Sequence, residues 1–413
     1  MTRTSKRLMA ALGILLGAAA CNNDQLYHNS TMDPVDPLFA RYVSFGNSIT
    51  AGFQSAGIND STQIQSYARR LAIQMHSPFA QPLMARPGCP PPYTNVFTQA
   101  RVGGAASNDS TCALRLIQQP TPPYINDVAV PGAGVISPTN NLDSGASNIL
   151  TSFMLGGLTQ IGMARRVLPT FVTVWIGNND VLGALTDLTH PGDTVEVTDT
   201  TTFKAEYTAL LDSIDLLGSV KGGVLIGVAD VTQIPYASLG MYYLGAKSVP
   251  PLSLLPSFQV SPDCAPSALG GVGDSSLVPF WYGLGLIQTA QADPTGGPYT
   301  LDCVADNDVV TKPELVRLHG AVVAYNAFIS AQANSRGYGY LDPNLALAQL
   351  KADTTQVAYF PHAPPDPRAT TAPFGTAFTF DGVHPSGATH KLVANALIQV
   401  INAKYGTALA PIP

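Results

Sequence analysis

Four residue types that together can transfer an acyl group stand at separated points of this chain. Ser48 lies in Tyr42-Val43-Ser44-Phe45-Gly46-Asn47-Ser48-Ile49-Thr50-Ala51-Gly52, where a short apolar run delivers a hydroxyl into a glycine-flanked turn. Far downstream come Gly177-Asn178-Asn179-Asp180 and Asp381-Gly382-Val383-His384. A serine hydroxyl is a weak nucleophile until a base sits within hydrogen-bond reach, and that base needs a third group to fix its tautomer. A tetrahedral intermediate also needs donors aimed at its oxygen, which a side-chain amide such as that of Asn179 can supply. Asp381 and His384 are three residues apart, close to one helical turn, so one local loop can present both toward Ser48. The set implies a serine hydrolase.

Those residues need elements to hold them. Tyr42 to Phe45 is predicted as a first strand, Ser66 to Met75 as a helix, and Asp127 to Val130 as a short second strand. A helical stretch follows from about Asn148 to Arg165. Thr170 to Ile176, β-branched or aromatic at nearly every position, is the clearest buried strand. It stops where Gly177-Asn178-Asn179-Asp180 begins. A helix near Thr202 to Leu217, a strand Gly223 to Val228, a helix from Pro313 to Ala333 and a strand Tyr338 to Leu341 continue the alternation. The closing helix, Ser386 to Ala403, has Ser386 as N-cap and Gly406 past its end. Strands alternating with helices predict an α/β domain of three layers, α/β/α, with a mostly parallel sheet. The polar motifs fall at strand ends, on the carboxyl edge where ligands bind in open α/β sheets.

The chain has 413 residues, 46% hydrophobic and 12% charged, with a formal net charge of -6. Lys and Arg do not cluster, which speaks against nucleic acid as a partner. The N-terminus is basic through Arg7, apolar from Leu8 to Ala20, and then reaches Cys21. This pattern predicts an export signal over 1–20, too short to remain as a membrane span. Ala18-Ala19-Ala20 before Cys21 resembles a bacterial lipobox, with Ala18 where Leu is usual. Cys21 is therefore expected to be the lipidated first residue of an exported, membrane-anchored protein. Residues 21–40 would form its tether, and 41–413 the folded domain.

Cys89, Cys112, Cys264 and Cys303 remain, an even number in a chain expected to leave the cytosol, and they allow three connectivities. Nearest-neighbour pairing, Cys89 with Cys112 and Cys264 with Cys303, is preferred because each bond closes one long excursion from the βα rhythm. Those excursions run over about 79–125 and 236–312. The second carries Phe280, Trp281, Tyr282 and the run Leu252 to Leu255, which could cover the site.

Gly46-Asn47-Ser48-Ile49, Ala129-Val130-Pro131-Gly132-Ala133, Gly177-Asn178-Asn179-Asp180 and Asp381-Gly382-Val383-His384-Pro385 follow the order and rough spacing of the four blocks of SGNH/GDSL hydrolases. The chain resembles that family, and within it the exported bacterial lipoproteins. The resemblance implies a flavodoxin-like fold and a serine esterase or lipase without cofactor or metal. Ser48 would attack a lipid or small-molecule ester, His384 would move the proton, and Asp381 would orient the imidazole. The oxyanion would be held by the N–H groups of Ser48 and Gly132 and the amide of Asn179. Asn47 stands where the family has aspartate, and Asp127 where its second block often has asparagine. An O-acetyl esterase acting on carbohydrate, or a silent surface lipoprotein using the fold for binding, are the alternatives.

Two rival sites fit less well. An α/β-hydrolase needs Gly-x-Ser-x-Gly, and Thr50 occupies the last position. A metal bound by Asp381, His384 and His390 would need a ligand spacing that is not usual.

Overall fold

A computed structural model of the chain describes residues 32–104, 112–115, 124–141, 149–361 and 371–413. The leader and Cys21 lie outside the described residues. Four strands build the central sheet: β1 (Tyr42–Gly46), β2 (Phe171–Trp175), β3 (Gly222–Ile226) and β4 (Gly339–Leu341). They lie in the order β1-β2-β3-β4, and every pairing is parallel. The first three are buried at every position, as expected of parallel strands covered on both faces.

Side chains divide by the two-residue period of a strand. Tyr42, Phe171, Trp175, Val224 and Ile226 join a core cluster with residues of the helices Tyr67–Met75 and Gly387–Tyr405. Val43, Phe45, Val172, Val174 and Leu225 join the other cluster, with residues of the helices Gln160–Val167, Thr200–Asp215 and Lys312–Arg336. The result is the α/β/α arrangement that the alternation predicts. On the second face Phe203 and Tyr325 stack with ring centroids 3.7 Å apart, tying two of the covering helices together.

The expected helix ends carry the expected caps. Ser66 Oγ accepts from Arg69 N–H at 3.3 Å, Ser386 Oγ accepts from Thr389 N–H at 3.4 Å, and Gly406 closes the last helix at φ 65°.

Several boundaries differ from expectation. The predicted strand at Asp127 makes one parallel bridge to Ser44 and no longer ladder. Its backbone still runs beside β1, with Val128 N–H donating to Ser44 O at 3.0 Å and Val130 N–H to Gly46 O at 3.2 Å. Counting this edge segment second gives the chain order 2-1-3-4-5 of flavodoxin-like sheets. The helical stretch expected from 148 to 165 is two helices, Ile149–Leu155 and Gln160–Val167. Gly156 and Gly157 part them, both at positive φ. Packing also begins before Arg41. Phe39 is fully buried against Phe171, and Val35 N–H donates to Met75 O at 3.1 Å, so the last part of the expected tether belongs to the domain.

Both nearest-neighbour disulfides form, Cys89–Cys112 and Cys264–Cys303. The excursion 236–312 has its own secondary structure. Ala237–Leu239 pairs antiparallel with Leu277–Pro279, Phe258–Val260 pairs parallel with Tyr299–Leu301, and helices cover Gly240–Lys247 and Phe280–Ala292. In 79–125, Tyr93–Asn95 and Ala100–Arg101 make a small antiparallel hairpin. A helix over Pro343–Lys351, not anticipated from sequence, follows β4. Its signal was present, since Asp342 caps it by accepting from Asn344 N–H at 2.9 Å and Pro343 fills the first turn.

Candidate active site

Strand β1 ends at Gly46, and the chain turns at once into a four-residue helix, Ser48–Ala51. Asn47 caps that helix, its Oδ1 accepting from Ile49 N–H at 3.1 Å. A short polar side chain is what this position needs, and asparagine meets it as aspartate would. Ser48 occupies the first helical position, where a backbone N–H has no intrahelical acceptor. Gly46 is clamped by Gln160, whose amide bonds both its N–H (3.1 Å) and its carbonyl (2.9 Å).

The second half of the site comes from a turn just before the C-terminal helix. Thr379 N–H donates to His384 O at 2.9 Å and Gly382 N–H to Thr379 O at 3.0 Å. Asp381 and His384 are thus presented by a tight turn and not by a helical one. Gly382 sits at φ 68°, and a Cβ there would lie 3.0 Å from Phe374 and from the Cα of Tyr236. The position therefore demands glycine on both counts.

The turn brings His384 to Ser48. His384 Nε2 lies 2.9 Å from Ser48 Oγ, and its Nδ1 lies 2.8 Å from Asp381 Oδ2. An ionised carboxylate only accepts, so Nδ1 carries the proton and Nε2 faces the hydroxyl as an acceptor. The ring of Phe53 packs against the imidazole with centroids 4.9 Å apart. Burial opposes the charge on Asp381. The facing His384 and the hydrogen bonds from His384 and Val383 outweigh it and hold the carboxyl down to about 2.

The edge loop after Val130 lies beside the turn that carries Ser48, through the Val130–Gly46 bond. Gly132 is exposed at φ 83°. Its N–H enters none of the hydrogen bonds found among the described residues, whereas Gly134 N–H donates to Ser137 Oγ at 3.1 Å. Of these two glycines Gly132 is the one with a donor to offer. Asn179 begins the helix Asn179–Thr186, and its Nδ2 donates to Ala133 O at 2.8 Å, which spends one of two amide hydrogens on the Gly132 loop. Asp180 supports the same loop by accepting from Val135 N–H at 2.9 Å and from Thr198 Oγ at 2.9 Å. Burial nevertheless raises its carboxyl to about 6.

Sequence reasoning missed Phe53, Thr379, Ser55 and Ala56, all of which touch His384 or Asp381 or their turn. Ala56 N–H donates to Asp381 Oδ2 at 2.6 Å and Ser55 N–H to Thr379 Oγ at 2.8 Å. In both, a main-chain N–H reaches a side-chain oxygen more than three hundred residues away, and nothing in the local sequence marks them. His390, weighed above as a metal ligand, is fully buried in the last helix with Nδ1 accepting from Tyr67 N–H at 3.3 Å. In the second excursion Phe280 is spent on a buried aromatic cluster with Phe360 and Phe374, while Trp281 is half-buried beside Tyr93.

No protein-family model and no curated protein sequence matches the chain. Among solved structures, the chain is similar to Axe2, an acetylxylan esterase from Geobacillus stearothermophilus. That similarity has 12% identity over 87% of this chain and 94% of that one, with a TM-score of 0.37. An active-site mutant of a family two carbohydrate esterase from Clostridium thermocellum is similar at 12% identity, over 91% of this chain and 66% of that one, again with a TM-score of 0.37.

Asp127, on the edge segment, has its carboxylate enclosed between Ser44 Oγ (3.0 Å) and Gln81 Nε2 (3.1 Å). Burial pushes its carboxyl up to about 7 against these bonds. A carboxyl that binds its proton more tightly folded than unfolded costs stability as pH climbs from about 4 to 7. Asp127→Asn removes that penalty, so the variant's melting temperature exceeds the wild type's at pH 8 and the gap closes at pH 4. Thermal unfolding at the two pH values measures it.

Proposed function

We propose that this protein is a serine esterase of the SGNH/GDSL type, acting on carboxylic esters without a cofactor. The observation that carries the proposal is the unbroken hydrogen-bond chain from Asp381 through His384 to Ser48, which joins residues 336 positions apart. Ser48 Oγ attacks the ester carbonyl as its proton passes to His384 Nε2. The tetrahedral oxyanion is received by Ser48 N–H, Gly132 N–H and the free hydrogen of the Asn179 amide. His384 then protonates the leaving alcohol, and a water activated by the same imidazole releases the acid from Ser48. Asp381 stays ionised throughout and stabilises the imidazolium.

Fluorophosphonate labelling of the purified domain tests this reading. Modification mapped to Ser48 by peptide mass supports it, and folded protein that stays unlabelled favours a binding role instead. A panel of short and long p-nitrophenyl esters beside acetylated xylan then separates a general esterase or lipase from a carbohydrate O-acetyl esterase. Asn179→Ala is expected to lower kcat by about 10²–10³, or about 2.7–4 kcal/mol of transition-state stabilisation, with little change in KM. A near-normal kcat removes Asn179 from the oxyanion site. The two disulfides suit an oxidising compartment, in keeping with export, and the leader sequence before Cys21 is what supports a lipid anchor there. Mass spectrometry of the mature N-terminus tests the anchor.

A further inference from the structure

Asp381 is gripped from two directions. Its own turn supplies the N–H groups of Val383 and His384, both 2.9 Å from Oδ1. The other grip is Ala56 N–H, 2.6 Å from Oδ2, the oxygen that also faces His384 Nδ1. Ala56 belongs to a two-residue turn, Gln54 to Gly57, closed by Gln54 N–H to Gly57 O (2.8 Å) and Gly57 N–H to Gln54 O (3.1 Å). Its two central residues, Ser55 and Ala56, both lie in the left-handed region at φ 55° and 51°. Turns of this kind usually carry asparagine and glycine, because other residues are strained there. Such strain persists only where the surroundings over-determine the backbone.

The surroundings are the hairpin of the first disulfide-closed excursion. Tyr93 N–H donates to Ser55 O at 2.8 Å. That carbonyl and the Ala56 N–H are the two ends of one peptide unit, so the hairpin is bonded at one end and Asp381 at the other. Bonds in series through a peptide polarise and strengthen each other. Arg101, paired with Tyr93 across the hairpin, donates from Nη1 to Ala56 O at 3.0 Å and lies 3.8 Å over the Tyr93 ring. It thereby fixes the next peptide unit as well. Arg101 is only 8% exposed, and a Cβ on Gly57 would lie 2.4 Å from the backbone of Pro92, so hairpin and turn are in close contact.

We propose that Arg101 is a positioning residue for Asp381, acting through the Ser55–Ala56 turn to hold the carboxylate on His384. The proposal rests on the serine-esterase reading of the site. It assigns the 79–125 excursion a part in catalysis without any contact with substrate.

Arg101→Met keeps an unbranched side chain in the hairpin and removes the guanidinium, with its donor to Ala56 O, its bond to Pro91 O at 2.5 Å and its contact with the Tyr93 ring. It is expected to lower kcat and the rate of fluorophosphonate labelling about tenfold with KM within twofold of wild type, and Arg101→Lys to recover most of the loss. The proton resonance of His384 Nδ1–H, which needs no turnover, should broaden or move upfield in the Met variant and return in the Lys variant. A folded Met variant with wild-type kcat and an unmoved resonance overturns the proposal, as does equal impairment of Met and Lys. Should Arg101→Met not fold, Arg101→Leu, which also lacks a donor, takes its place with the same criteria. If none of the three folds, Arg101 serves stability alone and the proposal fails. Wild-type protein that shows no turnover while the resonance responds to Arg101→Met would instead remove the esterase reading and leave the positioning contact standing.

Discussion

Ser48→Ala removes ester hydrolysis and fluorophosphonate labelling and leaves the fold unchanged. The expected fall in kcat is about 10⁶, the scale of losing the nucleophile where nucleophile and base act as a unit. His384→Ala falls by a similar amount for the same reason, and the double variant is no worse than either. The fold survives because Ser48 contributes little to it. Its side chain bonds His384 Nε2, while its helix is capped by Asn47 and its strand is held by Gln160. The main-chain bond from Thr379 to His384 O also outlives the loss of the imidazole. Circular dichroism and thermal unfolding of both variants, beside their kcat, check the result. Residual turnover near wild type in Ser48→Ala would assign hydrolysis to another group.

The residues of the proposed chemistry are legible in the sequence, and part of what holds them is not. β2 announces itself because Phe171 to Trp175 is buried on both faces and can be apolar or β-branched throughout. Ser48, Asn179, Asp381 and His384 are visible because each sits where a strand ends or a glycine turn begins. The helix Phe280–Ala292 escaped because its residues are apolar nearly all round, which leaves no stripe to read. Phe39 gave no sign of its place in the core, since its partner Phe171 lies on a distant strand. Ser55 and Ala56 are the clearest case. Left-handed backbone is ordinarily flagged by glycine or asparagine, and here a tertiary hairpin imposes it on residues that carry no such mark.

Asp381→Asn is the sharper test of how the site is built, because the substitution is nearly isosteric and changes only charge and hydrogen-bonding sense. Four N–H groups converge on the carboxylate, those of Ala56, Val383, His384 and the His384 ring. A carboxylate can accept from all of them, but an amide has one acceptor oxygen and must turn an NH₂ toward at least one donor. If that NH₂ faces His384, the ring takes the other tautomer and Nε2 can no longer accept the Ser48 proton. The expected loss in kcat is about 10⁴ with KM little changed, the size associated with a wrong tautomer in serine hydrolases. Stability should report the same substitution through pH. The wild-type carboxyl, lowered from its ordinary value to about 2, contributes stability that is fully present above about pH 4 and lost as pH falls through 2. The shift corresponds to about 2–3 kcal/mol. The asparagine variant lacks that term, so its unfolding free energy lies below wild type at neutral pH and converges with it in acid. Parallel stability curves from pH 6 to pH 2 would mean that Asp381 is not the charge on which the His384 turn depends.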